Sequence, residues 1–300
     1  MVAVLLLRLL LLWTQGTTST DPDKDSNFTF IGQDRWGWDS LELCEWHGRL
    51  NDSLFCYTNV YNYQRLNVEV LSEDPVLIVF RKFASDEEVA GVLEDVKKEE
   101  LHAAKVVDQD AEGVAAMEGP GRRTNVTFVA HEKTARIALI FRRAKAMIPF
   151  VKFENSEIWQ ILSYHPGGHY APHWDYLFFK SEEQKDVLSK EMGNRFATFL
   201  FSLQSASKGG GTVFPEVGIT VMPTPGDAVF FTNMHPDESL DKNSLHGACV
   251  VREGVKIAMV LWIRSKDQDL LRSPLRSGRF DINKLIRPNL YFLGKTPIYE

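Results

Sequence analysis

The chain has 300 residues, 44% of them hydrophobic, three cysteines and a formal net charge of −6. Such a composition supplies one sizeable core within one or two domains. The acidic balance and the lack of any long basic run exclude nucleic acid as a natural partner, and no internal repeat or low-complexity tract points to a solenoid or a disordered chain.

Residues 1–20 join an apolar run, broken only by Arg8 and reaching Trp13, to a small polar exit ending at Thr20. This pattern predicts a secretory signal peptide cleaved between Gly16 and Thr20. About a dozen apolar residues is short for a membrane span, so no stable span is expected, with an uncleaved signal anchor as the alternative. Residues 21–74 form an N-terminal segment whose first part, 22–40, is read as poorly structured. Cys44 and Cys56 lie within it and would close a small loop in an oxidising compartment. Asn27, Asn51 and Asn125 each head a glycan acceptor sequon.

One folded domain is expected over 75–265, followed by a poorly structured tail over 266–300. Ser85 and Glu88 make a capping box, with Val89, Val92, Leu93 and Val96 at helical spacing behind it. Ile137, Ile140, Phe141, Ala144 and Ile148 form a second helical stripe, stopped by Pro149. Both helices are expected outside a sheet, with no catalytic role. Between them 105–126, rich in Gly and acids and ending in Arg122 and Arg123, reads as a mobile loop or a solvated connector. From Ile158 onward the pattern changes to period two. Aromatic-rich runs at 158–164, 195–201, 218–222, 227–232 and 256–263 predict short antiparallel strands of a sandwich or barrel. The tail ends without a luminal retention signal, so retention would rest on a partner, or the protein leaves the cell.

The chemistry concentrates on that sheet. His173 and Asp175 are two apart, which on a strand aims both at one side. His246 follows 71 residues after Asp175, and Lys256 ten residues after His246. Two imidazoles and one carboxylate occupy one face of a six-coordinate iron and leave three positions open, which is the ligand set of non-haem iron(II) oxygenases. Gly254 suggests a hairpin making the His246 and Lys256 strands neighbours, with Lys256 on the order of 13 Å from His246 along the sheet. A Lys inside an apolar strand is costly to bury without a counter-anion. A dicarboxylate spanning from the metal to Lys256 would supply one.

The stretch from Tyr164 through His169 and His173 to Asp175, the run Gly193 to Phe201, the run Gly210 to Gly218, and His246 with Lys256 together resemble the catalytic domain of collagen-type prolyl 4-hydroxylase alpha subunits. The likeness covers roughly 40–264. It implies an α+β fold, a double-stranded β-helix (jelly-roll) core with flanking N-terminal helices. It implies Fe(II), 2-oxoglutarate and L-ascorbate as cofactors, O2 as cosubstrate, a proline-containing peptide as substrate, and release of succinate and carbon dioxide. A different residue or a small molecule as acceptor, or a noncatalytic binding module, stand as alternatives. Under the resemblance His173, Asp175 and His246 ligate iron and Lys256 holds the distal carboxylate of 2-oxoglutarate, with Thr198 beside it on a neighbouring strand. Tyr164 matches a cosubstrate-contacting tyrosine, and Trp262 a tryptophan near the peptide site or a core residue. Lys256 also favours the collagen-type branch, since lysyl hydroxylases and oxygen-sensing prolyl hydroxylases carry Arg there. His165 and His169 depart from the family pattern and are read as lying outside the ligand set.

The related enzymes carry a pair matching Cys44 and Cys56, so that disulfide is expected, with Cys249 buried and reduced. They also close a loop over the peptide at the place of 105–126. Full subunits have a dimerising segment and a helical-repeat peptide-binding domain, for which about twenty residues ahead of Cys44 leave no room. Processive grip on long chains and assembly with protein disulfide isomerase are therefore not expected to carry over, and the compartment expected is the endoplasmic reticulum lumen or the exterior.

Overall fold

The run Val76, Leu77, Ile78, Val79, Phe80 offers apolar side chains to both faces of a strand, so both faces have to be covered. In the computed structural model, which describes residues 28–46, 55–61, 63–107, 116–117, 119–272 and 274–294, they are. Ile78 and Phe80 face a core shared with the helices, while Leu77 and Val79 face a second sheet. The expected signal peptide, Asn27 and Asn51 lie outside the described residues, as does the middle of the 105–126 loop.

The larger sheet has nine antiparallel strands. In spatial order they are Phe55–Tyr61, Gln64–Glu73, Val76–Arg81, Ala228–Thr232, Arg195–Gln204, Lys256–Arg264, Trp159–Tyr164, Asn125–Val129 and His102–Ala103. The smaller sheet has five, in the order Ile219–Val221, Thr212–Phe214, His246–Ala248, His169–His173 and Arg122–Arg123. The two face each other as a double-stranded β-helix over an inner core that includes Leu77, Leu162, Phe214, Phe231 and Val260. The outer face of the larger sheet is covered by helices Asp86–Val96 and Ala135–Met147. Ser85 and Glu88 form the reciprocal cap, Thr134 caps the second helix through the Ile137 N–H, and Arg143 ties the helices by pairing with Glu88.

Several sequence expectations are corrected. Residues 55–73 are not part of a separate segment, because they supply two strands of the larger sheet. Residues 28–46 are ordered: Phe30 and Trp36, with Leu41 and Leu43 of helix Trp38–Trp46, pack with Val213 and Ala171 against the smaller sheet. Residues 266–272 and 274–294 of the tail are ordered too, with Leu270, Phe280, Leu285 and Ile286 in the outer core. Their apolar residues are too few and too irregularly spaced to announce a helix, and they are held by tertiary packing.

The expected Cys44–Cys56 bridge is replaced by Cys44–Cys249, with Cα atoms 5.6 Å apart across a separation of 205 residues. Cys56 is free and exposed on an edge strand of the larger sheet. The physical reason is topological: the helix carrying Cys44 lies on the smaller sheet, and Cys56 is on the larger one.

The His246 and Lys256 strands are not neighbours either. His246–Ala248 pairs with His169–His173 and Thr212–Phe214 in the smaller sheet, whereas Lys256–Arg264 lies between Arg195–Gln204 and Trp159–Tyr164 in the larger. Between them Val251–Glu253 pairs with Lys208–Gly209, and Gly254 (φ 78°) turns the chain into the Lys256 strand. His246 and Lys256 thus face each other across the sandwich, where sheets pack about 10 Å apart.

Candidate active site

Period two decides what faces the space between the sheets. On the Lys256 strand Ile257, Met259, Leu261 and Ile263 belong to the outer core, which leaves Lys256, Ala258, Val260 and Trp262 on the inner face. The same alternation brings Gln160, Leu162 and Tyr164 inward from one neighbour and Thr198 and Leu200 from the other. His173, Asp175 and His246 reach the same narrow cavity, about 50 Å³, from the smaller sheet.

His173 and His246 are directly opposed cross-strand partners, with ring centroids 4.5 Å apart. Gly247 permits this approach, because a Cβ there would come within 3.0 Å of the Tyr170 carbonyl oxygen. Asp175 follows the strand end, its Oδ1 3.7 Å from His173 Nε2 and its Oδ2 3.5 Å from His246 Nε2. His173 Nδ1 donates to the Ala171 carbonyl at 2.9 Å and His246 Nδ1 to the Ser244 carbonyl at 3.0 Å. These bonds orient the rings and leave both Nε2 atoms toward Asp175. Burial, then the neighbouring His246, pushes the His173 imidazole down to about 3, so it is neutral at physiological pH. Burial works to raise Asp175, but His246, His173 and Arg195 together with the Thr198 hydroxyl hold it at about 2, so it is ionised. Two imidazoles and one carboxylate converging on one point fit a divalent iron with open positions.

Thr198 corrects an expectation. It sits beside Asp175 rather than Lys256, donating its hydroxyl to Oδ2 at 2.7 Å and accepting from Asn233 Nδ2 at 3.0 Å. On its strand it opposes Trp262, not Lys256. The threonine beside Lys256 is Thr212, whose Oγ1 and the Gly211 carbonyl oxygen each lie 3.4 Å from Nζ. Tyr164 is the direct cross-strand partner of Lys256, with Nζ 5.6 Å from its ring centre. No carboxylate pairs with Lys256 among the described residues, and burial pushes its ammonium down to about 8. A buried cation without a counter-ion, facing a cavity whose other end holds the two histidines and Asp175, fits one carboxylate of a bound dicarboxylate.

Sequence reasoning missed Thr212, Asn233, Arg122, Gln160 and Tyr170. The Tyr170 ring stacks on His173 at 3.6 Å, and the Arg122 guanidinium lies 4.4 Å above Tyr170 and donates to Gln160. Trp262 lines the cavity beneath Arg195, whose guanidinium is 3.6 Å from its ring centre. His165 is exposed and His169 fully buried. His169 stands between the Gly167 and Pro120 carbonyl oxygens and against Phe30, so it fastens the N-terminal segment and the 120 loop.

A sheet sandwich with this donor set defines a non-haem metal oxygenase. A family model for the 2OG-Fe(II) oxygenase superfamily matches residues 159–264. The chain is 32% identical over 225 residues to probable prolyl 4-hydroxylase 7 of Arabidopsis thaliana, an overlap of 69% of this chain and 68% of that one. It is 31% identical over 223 residues to prolyl 4-hydroxylase subunit alpha-1 of Caenorhabditis elegans, 73% of this chain and 39% of that subunit. Among solved structures it is similar to the viral collagen prolyl hydroxylase of Paramecium bursaria Chlorella virus-1, with TM-score 0.48 and 24% identity over 63% of this chain and 95% of that one. The chain belongs to the prolyl 4-hydroxylase family, a 2-oxoglutarate-dependent dioxygenase family whose members use Fe(II). It spans about two fifths of the length of the nematode subunit.

Proposed function

We propose that this enzyme hydroxylates peptidyl proline at the 4-position in proteins of the secretory pathway, with His173, Asp175 and His246 holding iron and Lys256 holding the distal carboxylate of 2-oxoglutarate. One observation carries the reading: a single cavity holds two imidazoles and a carboxylate at one end and, at the other, a buried ammonium with no carboxylate partner among the described residues. Iron(II), when bound, supplies activation of dioxygen coupled to conversion of 2-oxoglutarate to succinate and carbon dioxide.

The remaining work falls to the chain's own residues. Ala171 and Ser244 fix the orientation of the two imidazoles through their carbonyls, and Thr198, braced by Asn233, holds one oxygen of Asp175. Lys256, with Thr212 and Tyr164 around it, would hold one carboxylate of the dicarboxylate. Leu162, Leu200, Ala258 and Val260 line the cavity with apolar surface, which keeps water from the reacting centre. Tyr170, Arg122 and Trp262 line the same cavity and are placed to orient a proline ring.

A luminal setting agrees with the apolar leader, the acceptor sequons and the Cys44–Cys249 bridge. No helix among the described residues is long and apolar enough to cross a membrane. L-ascorbate is proposed to keep the iron reduced between turnovers. The test is 2-oxoglutarate turnover coupled to mass spectrometry of Pro-Pro-Gly and other proline-rich peptides.

A further inference from the structure

We infer that a basic groove beside the active-site mouth docks an acidic stretch of the peptide substrate, recognised by Arg122 and Arg123; the inference rests on the peptidyl-proline reading. The groove, about 510 Å³, is bounded by Arg122, Arg123, Asn125, Ser163 and His165, and no Asp or Glu lines it among the described residues. In a chain of net charge −6 this is a local reversal of sign.

The two arginines differ from six others in the fold. Arg81, Arg136, Arg143, Arg195, Arg252 and Arg264 each pair with a carboxylate. Neither Arg122 nor Arg123 does so among the described residues. Arg122 is half-buried and its Nε is fully buried without a hydrogen-bond partner among the described residues, while the guanidinium meets the Gln160 side chain and the Tyr170 ring. Arg123 is exposed toward the groove. Two adjacent cations without anions, one partly desolvated, favour an anionic ligand group.

Arg122 also lines the catalytic cavity, so the groove and the cavity share a wall. From the groove to the donor set the sequence of layers is Arg122, Tyr170, His173, at 4.4 Å and 3.6 Å. An extended peptide advances about 3.3–3.6 Å per residue. A carboxylate side chain reaching Arg122 and Arg123 would therefore sit about two to four residues from the target proline, on one side of it only.

The experiment uses the full chain loaded with iron and peptides containing one central proline. A single Glu or Gln is placed in turn at each position from about four before to about four after the proline. The expected result is that Glu at a position two to four residues away on one side raises kcat/KM at least about fivefold over Gln, mainly through KM. The ratio should shrink at about 0.5 M salt, and Arg123→Glu should reverse it so that a Lys peptide outpaces the Glu peptide. Ratios within about twofold at every position, or a ratio that Arg123→Glu leaves unchanged, would overturn the inference while leaving proline hydroxylation standing. If no peptide is hydroxylated, the peptidyl-proline reading fails by itself. Fluorescence anisotropy with labelled Glu and Gln peptides then decides the groove, and equal binding of the two overturns it.

Discussion

Thr198 donates its hydroxyl to Asp175 Oδ2 at 2.7 Å from a neighbouring sheet, so the larger sheet orients the one carboxylate of a donor set otherwise carried by the smaller sheet. Asp175 lies beyond its strand end, where backbone pairing no longer fixes it. The Thr198 bond, backed by Asn233, performs that role. Thr198→Val should therefore weaken iron affinity about 10- to 100-fold, the usual range for an outer hydrogen bond to a metal ligand, with the fold intact. Thr198→Ser should recover most of the loss. Iron titration of the three proteins checks this, and equal affinities would return Thr198 to a packing role.

Lys256 has no carboxylate partner and opposes the donor set across the cavity. Lys256→Ala should raise the 2-oxoglutarate requirement far more than it disturbs iron binding. Loss of a charged hydrogen bond to a buried carboxylate costs roughly 2–5 kcal/mol. Parallel titrations of iron and 2-oxoglutarate separate the two effects. An unchanged 2-oxoglutarate requirement would make Lys256 structural.

The same residue sets a pH dependence. Burial holds the Lys256 ammonium down at about 8, and the dicarboxylate binds its protonated form. Affinity for 2-oxoglutarate is thus full well below pH 8 and lost as pH rises through it, by up to about tenfold per unit. In Lys256→Arg, whose guanidinium stays charged, affinity should be flat over the same interval. Isothermal titration of 2-oxoglutarate between about pH 7 and 9 measures the difference, and identical profiles would contradict it.

Cys44 and Cys249 join the N-terminal helix to the residue just after the His246 strand. Non-reducing peptide mapping should find Cys44 linked to Cys249 and Cys56 open to alkylation. Cys44→Ser should destabilise the fold by about 2–5 kcal/mol and lower iron affinity along with it. A Cys44–Cys56 peptide would contradict the packing of the N-terminal segment.

Local patterns announced much of this molecule. The Ser85 and Glu88 cap lies within four residues, and the alternation of Lys256, Ala258, Val260 and Trp262 within seven. The convergence of His173, Asp175 and His246 follows from ligand chemistry, which admits few donor sets. What stayed hidden depended on which sheet a strand joins. Gly254 marks a turn equally well in a hairpin or in a crossing between sheets, so His246 and Lys256 were placed side by side instead of face to face. Thr198 and Thr212 are both inward threonines on strands, and only the sheet order tells which meets Asp175 and which meets Lys256. The Cys44–Cys249 pairing spans 205 residues and has no local signature.

The most direct test of the central claim is 2-oxoglutarate turnover by the iron-loaded chain, with mass spectrometry of proline-rich peptides and Asp175→Ala as control. The account predicts succinate formation matched by gain of one oxygen on proline, with both lost in Asp175→Ala and likewise in His173→Ala and His246→Ala. Proline peptides left unmodified beside sustained 2-oxoglutarate turnover, or turnover that survives in Asp175→Ala, would contradict it.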